Sequence, residues 1–287
     1  MAENKIAILT DTNSGITEKM QTELGVFVVP MPVIIDGKEY FEDISITQEE
    51  FYQRLRHGAR VSTSQPSPGQ LMIAWSGLLQ AHDAVIYIPM SGGLSGSVKT
   101  AQALARSYGG KIHVVDNRRV SVTLRQSALE AKKLADAGES AESIVRYLES
   151  DGLNASIYLA VNTLEPAKRS GRVTAATAAI TTVLNIKPVV QIQGEKLDAL
   201  DRVRGMSAAT DLIISRLQRD RAERFAGQRI TIRAAYSGDE VRGVLWRKKL
   251  QEAFPDLVIE KDPLPISIAC HTGEGALGVG IMRDTLS

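Results

Sequence analysis

The sequence lacks features that several large classes of protein require. It contains one cysteine, Cys270, among 287 residues, so no internal disulfide can form and a reducing compartment is expected. No stretch is long and apolar enough to span a bilayer. Residues 1–5 run straight towards a strand and lack the apolar core of a signal peptide. We therefore expect a cytoplasmic protein without stable membrane insertion.

The sequence also lacks an excess of positive or negative charge, and it has few aromatic side chains. Lys and Arg number 34 against 33 acidic residues, a net charge of +1, which gives no reason to expect nucleic acid as a partner. Aromatic residues are only 5% of the chain while hydrophobic residues are 44%, so the core must be largely aliphatic. The histidines are scattered, so we expect no metal site. They are His57, His82, His113 and His271.

The first 150 residues alternate buried strands with helices. Apolar, β-branched strands are predicted at residues 5–10, 84–89 and 111–115. Helices follow each of them, and this order implies a mainly parallel sheet with helices on both faces.

From residue 151 onwards the pattern changes. Several of the predicted strands alternate polar and apolar residues, as in a sheet with one covered face. These strands are residues 157–161, 188–192, 229–236, 257–260 and 266–271. The predicted fold class is α/β, with an N-terminal mainly parallel α/β domain at residues 1–150 and a C-terminal α+β domain at residues 151–287.

The main candidate for a ligand site is the loop at residues 91–97, Ser-Gly-Gly-Leu-Ser-Gly-Ser. It follows a predicted strand and precedes a predicted helix, and ligands of open α/β sheets bind at such places. Glycines allow close approach of the backbone, while serine hydroxyls and a helix start suit an anion. A second polar loop, residues 62–68, lies one helix and one strand earlier and can face it. The alternative is an ordinary strand–helix turn with a serine N-cap.

Familiar catalytic patterns fit this loop poorly. The spacings of a P-loop and of a Rossmann fingerprint are both absent. A serine acyl hydrolase using Ser95 remains an alternative, since Gly93-Leu94-Ser95-Gly96-Ser97 lies between strand and helix and Asp116 and His271 follow in order. Its final glycine, however, is Ser97.

Near the end of the chain, two neighbouring side chains suggest chemistry. Cys270 lies beside His271 in a predicted strand, where neighbours point to opposite faces, so we expect a buried small hydrophobe and no thiol dyad. His271 is either a hydrogen-bonded histidine at a strand end or a polar contact in a cleft between domains.

Six short motifs, taken in order, resemble the DegV family of bacterial fatty-acid-binding proteins. They extend over residues 10–278, and each is weak alone. The motifs are Thr10-Asp11-Thr12-Asn13-Ser14, Thr63-Ser64-Gln65-Pro66-Ser67, Ser91-Gly92-Gly93-Leu94-Ser95-Gly96, Ser170-Gly171-Arg172, Val203-Arg204-Gly205 and His271-Thr272-Gly273-Glu274-Gly275-Ala276-Leu277-Gly278. Three residues depart from the family pattern: Asn13, Gly92 in place of a common second serine, and Glu274 in place of a common proline.

The resemblance implies a protein that holds one long-chain fatty acid, such as palmitate (hexadecanoate) or oleate, between two domains. It also implies a partner, a separate fatty acid kinase that phosphorylates the bound carboxylate, so the chain itself is not an enzyme. The ligand-binding residues implied by the match are Thr63, Ser95, Ser91, Gly96 and His271. Arg172 and Arg204 resemble partner-facing or head-group-adjacent positions. Residues 26–35 and 173–184 are the predicted walls for the acyl chain; the alternative is that both segments belong to the ordinary core.

Overall fold

The computed structural model describes residues 5–181 and 183–285. The expectation of no signal peptide rests largely on residues 1–4, and one predicted wall segment includes Thr182; these positions lie outside the described residues. The strands are β1 Ile6–Asp11, β2 Phe27–Val29, β3 Val33–Ile35, β4 Lys38–Tyr40, β5 Val61–Thr63, β6 Ala84–Ile88, β7 Ile112–Val114, β8 Ala155–Ala160, β9 Ile186–Ile192, β10 Asp198–Arg204, β11 Ile230–Tyr236, β12 Glu260–Pro263 and β13 Leu277–Arg283.

The helices are α1 Glu18–Leu24, α2 Gln48–Arg56, α3 Pro68–Leu78, α4 Ser97–Ala105, α5 Ser121–Asp136, α6 Ala141–Asp151, α7 Glu165–Arg169, α8 Ala175–Ala178, α9 Gly205–Glu223, α10 Glu240–Ala253 and α11 Ile266–Thr272, with 3₁₀ turns at Thr12–Ser14 and Arg106–Tyr108.

The first domain is built on the predicted parallel sheet. Its strand order is β2-β1-β6-β7, and the neighbouring strands pair in parallel. Every residue of β1 and β6 is buried, because helices cover both faces of the sheet.

A small antiparallel sheet of order β4-β3-β5 lies beside the parallel sheet. Its hairpin turns at Asp36 and Gly37, both with positive φ, as an Asp-Gly turn predicts. Strand β5 pairs Thr63 with Val33, which fixes Thr63 at the end of the sheet.

The second domain contains a six-stranded sheet of order β10-β9-β8-β13-β11-β12. One face packs on α9 and α10 through a hydrophobic core that includes Ile213 and Trp246. The expectation of a single covered face is wrong at the centre, since β8 is buried throughout. The second face lies against α5 of the first domain, so the two domains share it.

The predicted strand at residues 266–271 is wrong, because this segment is helix α11. Pro265 precedes its first turn, and Ile266, Ala269 and Cys270 lie on one helical face that packs against β3 and α2. The alternation of isoleucine and polar residues favoured a strand, but the i, i+3, i+4 spacing that matches this packing decided the outcome. Cys270 is buried as expected, and burial raises the pKa of its thiol to about 12.

Three strands were missed by sequence reasoning. Strand β5 includes the first two residues of the predicted polar loop at residues 62–68. Strand β10 is polar and lies at the edge of its sheet, so it carries no apolar signal. Strand β13 contains Gly278 and Gly280, which are more typical of a loop. A Cβ at Gly280 would lie 2.6 Å from Val122 Cγ2, and one at Gly278 would lie 2.9 Å from Leu159 Cδ1. Gly280 therefore allows close approach of the two domains, and Gly278 allows Leu159 of the neighbouring strand to pack against β13.

We predict that Gly280→Ala lowers the free energy of unfolding by about 1–3 kcal/mol, because the added methyl group overpacks the contact with Val122 in a central strand. Chemical denaturation measures this change. The control is Gly77→Ala in α3, where a Cβ meets nothing within 4 Å and helix propensity favours alanine. Equal stability of Gly280→Ala and the parent protein would contradict the close-packing argument.

Candidate functional site

A cavity of about 310 Å³ lies between the domains, within the roughly 300–1,000 Å³ of small-molecule sites. Both domains contribute to its wall. Its apolar lining includes Val120, Val122, Ile157, Leu159, Ala235 and Val279. The inner face of the six-stranded sheet therefore forms much of a smooth aliphatic surface, which suits a hydrocarbon ligand.

The polar lining residues form a connected group. His271 Nε2 lies 2.9 Å from Thr63 Oγ1, and His271 Nδ1 lies 2.9 Å from Ser170 Oγ. Arg172 follows in the chain, and its Nε donates to the Leu94 carbonyl at 3.3 Å. Ser95 comes next along the loop. Four segments that are distant in sequence thus meet at one part of the cavity.

Ser95 has a hydroxyl proton to offer a ligand. Its Oγ lies 2.8 Å from Ser97 Oγ and accepts a hydrogen bond from the Ser97 N–H at 3.2 Å. Because Ser97 can donate its own hydroxyl proton to Ser95, the proton of Ser95 is left for an acceptor in the cavity. Gly96 is the N-cap of α4 and also lines the cavity; a Cβ there would meet Gln65 Oε1 at 2.8 Å.

His271 is a neutral side chain at physiological pH. Burial, together with a smaller effect of the nearby Arg172 guanidinium, lowers the pKa of its imidazole from 6.5 to about 4. Among the described residues lining the cavity, Arg172 is the only one with an ionic side chain at neutral pH. The polar group therefore has one positive charge and several hydroxyl donors, an arrangement that attracts an anion.

Two of the implied residues lie outside this group. Ser91 is buried and does not line the cavity; its Oγ donates to the Gly194 carbonyl at 2.8 Å and accepts from the Gly93 N–H at 3.2 Å. It thus ties the loop to the second domain. Arg204 is exposed at the end of β10, away from the lining residues.

Sequence reasoning missed the contact that Ser170 makes with His271. Ser170 belongs to one of the six motifs that resemble the family, but only Arg172 of that motif was predicted as a site residue. The signal was present in Ser170-Gly171-Arg172, where Gly171 has a φ of +71° and turns the chain after α7. No local pattern says which distant side chain the serine meets.

Two of the three departures from the family pattern, Gly92 and Glu274, lie outside the cavity lining. The Gly92 N–H donates to Asp116 Oδ1 at 3.1 Å, and Gly92 does not line the cavity. Glu274 also lies outside the lining and pairs with Arg56 at 2.6 Å. Asn13 does line it, with its amide held by Asp11 at 2.9 Å.

The hydrolase alternative finds no support in this geometry. Ser95 bonds to Ser97, and His271 bonds to Thr63 and Ser170. The Asp116 carboxylate accepts backbone N–H groups of the loops around it. The three groups of the suggested triad are therefore not joined to one another.

The predicted walls are only partly correct. Residues 26–35 contribute Met31 to the cavity, whereas the described members of residues 173–184 contribute nothing. Val173 is instead buried in the core beneath the site. Within the described part of the chain no helix combines the length and apolar character needed to cross a membrane. No cluster of three or more His, Cys, Asp or Glu side chains there could hold a metal ion.

Fold and site together define a two-domain α/β protein with an aliphatic cavity capped by hydroxyl groups and one cation. The family described as "Uncharacterised protein, DegV family" matches residues 5–284, so the chain belongs to the DegV family. A DegV domain-containing protein of Deinococcus radiodurans is 32% identical over 277 residues, covering 96% of this chain and 98% of that protein.

Solved structures share the whole architecture. A DegV family protein from Thermus thermophilus, described by its fatty acid binding, has a TM-score of 0.88 and 33% identity, covering 98% of this chain and 100% of that chain. DegV from Bacillus subtilis, described as a fatty acid binding protein, has a TM-score of 0.86 and 26% identity, covering 98% and 100%. The predicted family and fold class are therefore confirmed.

We predict that His271 makes the folded protein less stable as pH falls from about 6.5 to about 4. Its pKa is lower in the folded state, so the unfolded chain binds the proton first as pH falls. The free energy of unfolding therefore decreases by up to about 3 kcal/mol. His271→Gln removes this contribution. Denaturation across the pH range measures the difference between variant and parent protein.

The comparison with the parent is needed because three buried carboxyl groups act in the opposite direction. One is Glu130, whose pKa is raised by burial. Burial raises the pKa of Asp11 to about 6 and that of Glu42 to about 7, so these groups stabilise the fold as pH falls. They are common to both proteins. His57→Gln, at an exposed site, controls for the substitution. The same pH slope in His271→Gln and parent protein would contradict the prediction.

Proposed function

We propose that this chain binds one long-chain fatty acid, with its acyl chain in the cavity and its carboxylate at Thr63, Ser95 and His271. The observation that carries the proposal is a cavity whose polar residues lie together while the sheet presents an aliphatic surface to the rest. The Thermus and Bacillus relatives, both described as binding fatty acids, have the same fold over nearly the whole chain.

The acyl chain supplies most of the affinity in this proposal. Burying about fifteen carbons at roughly 0.8 kcal/mol each contributes about 12 kcal/mol before costs. Association and ordering of the flexible chain oppose this by several kcal/mol. Hydrogen bonds to the carboxylate contribute about 1–3 kcal/mol net. The apolar wall therefore sets the affinity, and the polar group sets the orientation.

The orientation matters if the carboxylate is to react. Thr63, Ser95, Arg172 and His271 are all partly accessible to solvent, so a carboxylate held among them lies near the surface. This supports a role as the binding subunit of a separate fatty acid kinase, which would transfer phosphate to the carboxylate and form an acyl phosphate. The chain then acts in the cytoplasm as a carrier and not as a catalyst, with the fatty acid as ligand and no cofactor.

We predict that Thr63→Ala combined with Ser95→Ala weakens palmitate binding at least tenfold, because the carboxylate loses two neutral donors worth about 1 kcal/mol each. Fluorescence displacement or calorimetry measures the dissociation constant, and circular dichroism checks the fold. Ser215→Ala, on the exposed face of α9, is the control. Unchanged affinity in the double variant would refute the head-group assignment, and no palmitate binding by the parent protein would refute the proposed function.

We predict that Arg204→Ala leaves the palmitate dissociation constant unchanged and slows kinase-dependent phosphorylation, because Arg204 is exposed and lies outside the cavity lining. The measurement is the rate of acyl phosphate formation with a purified fatty acid kinase. Arg219→Ala on α9 is a control of equal charge at another exposed position. Equal rates for Arg204→Ala and parent protein would count against a partner-facing role.

A further inference from the structure

Ser170 has two acceptors for one hydroxyl proton. It follows the last residue of α7, and its Oγ lies 3.1 Å from the Ala167 carbonyl oxygen and 2.9 Å from His271 Nδ1. A serine hydroxyl donates one hydrogen bond at a time. The acceptor to which Ser170 donates determines which ring nitrogen of His271 carries the proton.

In one arrangement Ser170 donates to Ala167. Nδ1 of His271 must then carry the ring proton and donate it to Ser170, because the two atoms are within hydrogen-bonding distance. A neutral imidazole has one N–H, so Nε2 is unprotonated and accepts from the Thr63 hydroxyl at 2.9 Å. In this state the Thr63 proton is committed to the ring and is not offered to the cavity.

In the other arrangement Ser170 donates to Nδ1. The ring proton is then on Nε2, which donates to Thr63 Oγ1, and the hydroxyl proton of Thr63 points to an acceptor in the cavity. The Ala167 carbonyl is not left unpaired, because it also accepts the Arg172 backbone N–H at 3.0 Å. Among these side chains the first arrangement makes three hydrogen bonds and the second makes two, and an acceptor in the cavity that takes the Thr63 proton restores the third.

Ser95 does not need such a change. Ser97 can donate to it in either state, which leaves the Ser95 proton for an anion whichever tautomer His271 adopts. Thr63 is the hydroxyl whose availability depends on the histidine. Both arrangements keep the ring neutral, the form that burial favours in the free protein.

We propose that Ser170 is a positioning residue that sets the tautomer of His271, and that a bound carboxylate shifts the ring from Nδ1–H to Nε2–H. This inference rests on the proposed binding of a fatty acid at Thr63. One proton leaves Nδ1 and one binds Nε2 by exchange with water, so no net proton is taken up or released. Thr63 then donates to the carboxylate, which accepts the freed hydrogen bond.

The test is nitrogen NMR of the full chain labelled with ¹⁵N-histidine, in which the shift of each ring nitrogen reports whether it carries a proton. The His271 signals are identified by their loss in His271→Gln. The free protein is expected to show Nδ1–H, and the protein saturated with palmitate is expected to show Nε2–H. Saturation is measured independently by calorimetry.

Two variants separate the role of Ser170 from a general structural effect. Ser170→Ala removes the acceptor for Nδ1–H, so the free variant is expected to show Nε2–H already and palmitate should not change it. Ser170→Thr keeps the hydroxyl and is expected to restore the ligand-dependent exchange. Nδ1–H in free Ser170→Ala would overturn the assignment of Ser170.

The remaining outcomes distinguish this inference from the function on which it rests. Palmitate binding with no change of tautomer in the parent protein would overturn the exchange and leave fatty acid binding standing. No palmitate binding at all would overturn both.

Discussion

The inner face of the six-stranded sheet must approach helix α5 closely and still leave space for a ligand, and the rest of the architecture depends on this constraint. Gly280 permits the approach, since any Cβ there would collide with Val122. A buried ion pair fixes the same region: Arg119 Nη2 lies 2.6 Å from Asp151 Oδ2, and Arg283 binds the other oxygen of Asp151 at 2.5 Å. Breaking such a pair leaves a buried charge without a partner, so Asp151 of α6 stabilises the contact with Arg283 of β13.

The packing of helix α11 places His271 at the cavity. Ile266 and Cys270 are buried in the core of the first domain, which leaves the next residue, His271, at the cavity. The N–H of Ile266 is held by the Glu42 carboxylate at 2.9 Å, so the start of the helix is anchored as well. Because the packing of one helical face fixes the direction of its neighbour, His271 reaches both Thr63 and Ser170 without any flexible segment.

Much of the first domain could be predicted from sequence because its strands are continuous apolar runs followed by helices. The polar ends of the site, Thr63 and Ser95, were also predictable, since short motifs carried the resemblance to the family. Helix α11 was not, because Ile266 and Ile268 alternate with polar residues as in a strand while tertiary packing imposed the helical period. The prediction of the cavity wall missed strand β13 for a related reason. Gly278 and Gly280 carry no hydrophobic signal, although the strand that contains them forms the cavity wall.

In the proposed function, the chemistry of the head group follows from what burial permits. A buried cationic histidine beside Arg172 would be costly, since desolvation and a like charge both disfavour it, so the ring stays neutral and the carboxylate meets one formal cation. Neutral hydroxyl donors orient an oxygen with less electrostatic stabilisation than a second cation would provide. A carboxylate held in this way retains more of its nucleophilic charge for attack on a phosphorus atom. Strong affinity and a reactive head group are compatible because the aliphatic wall, and not the head group, supplies most of the binding free energy.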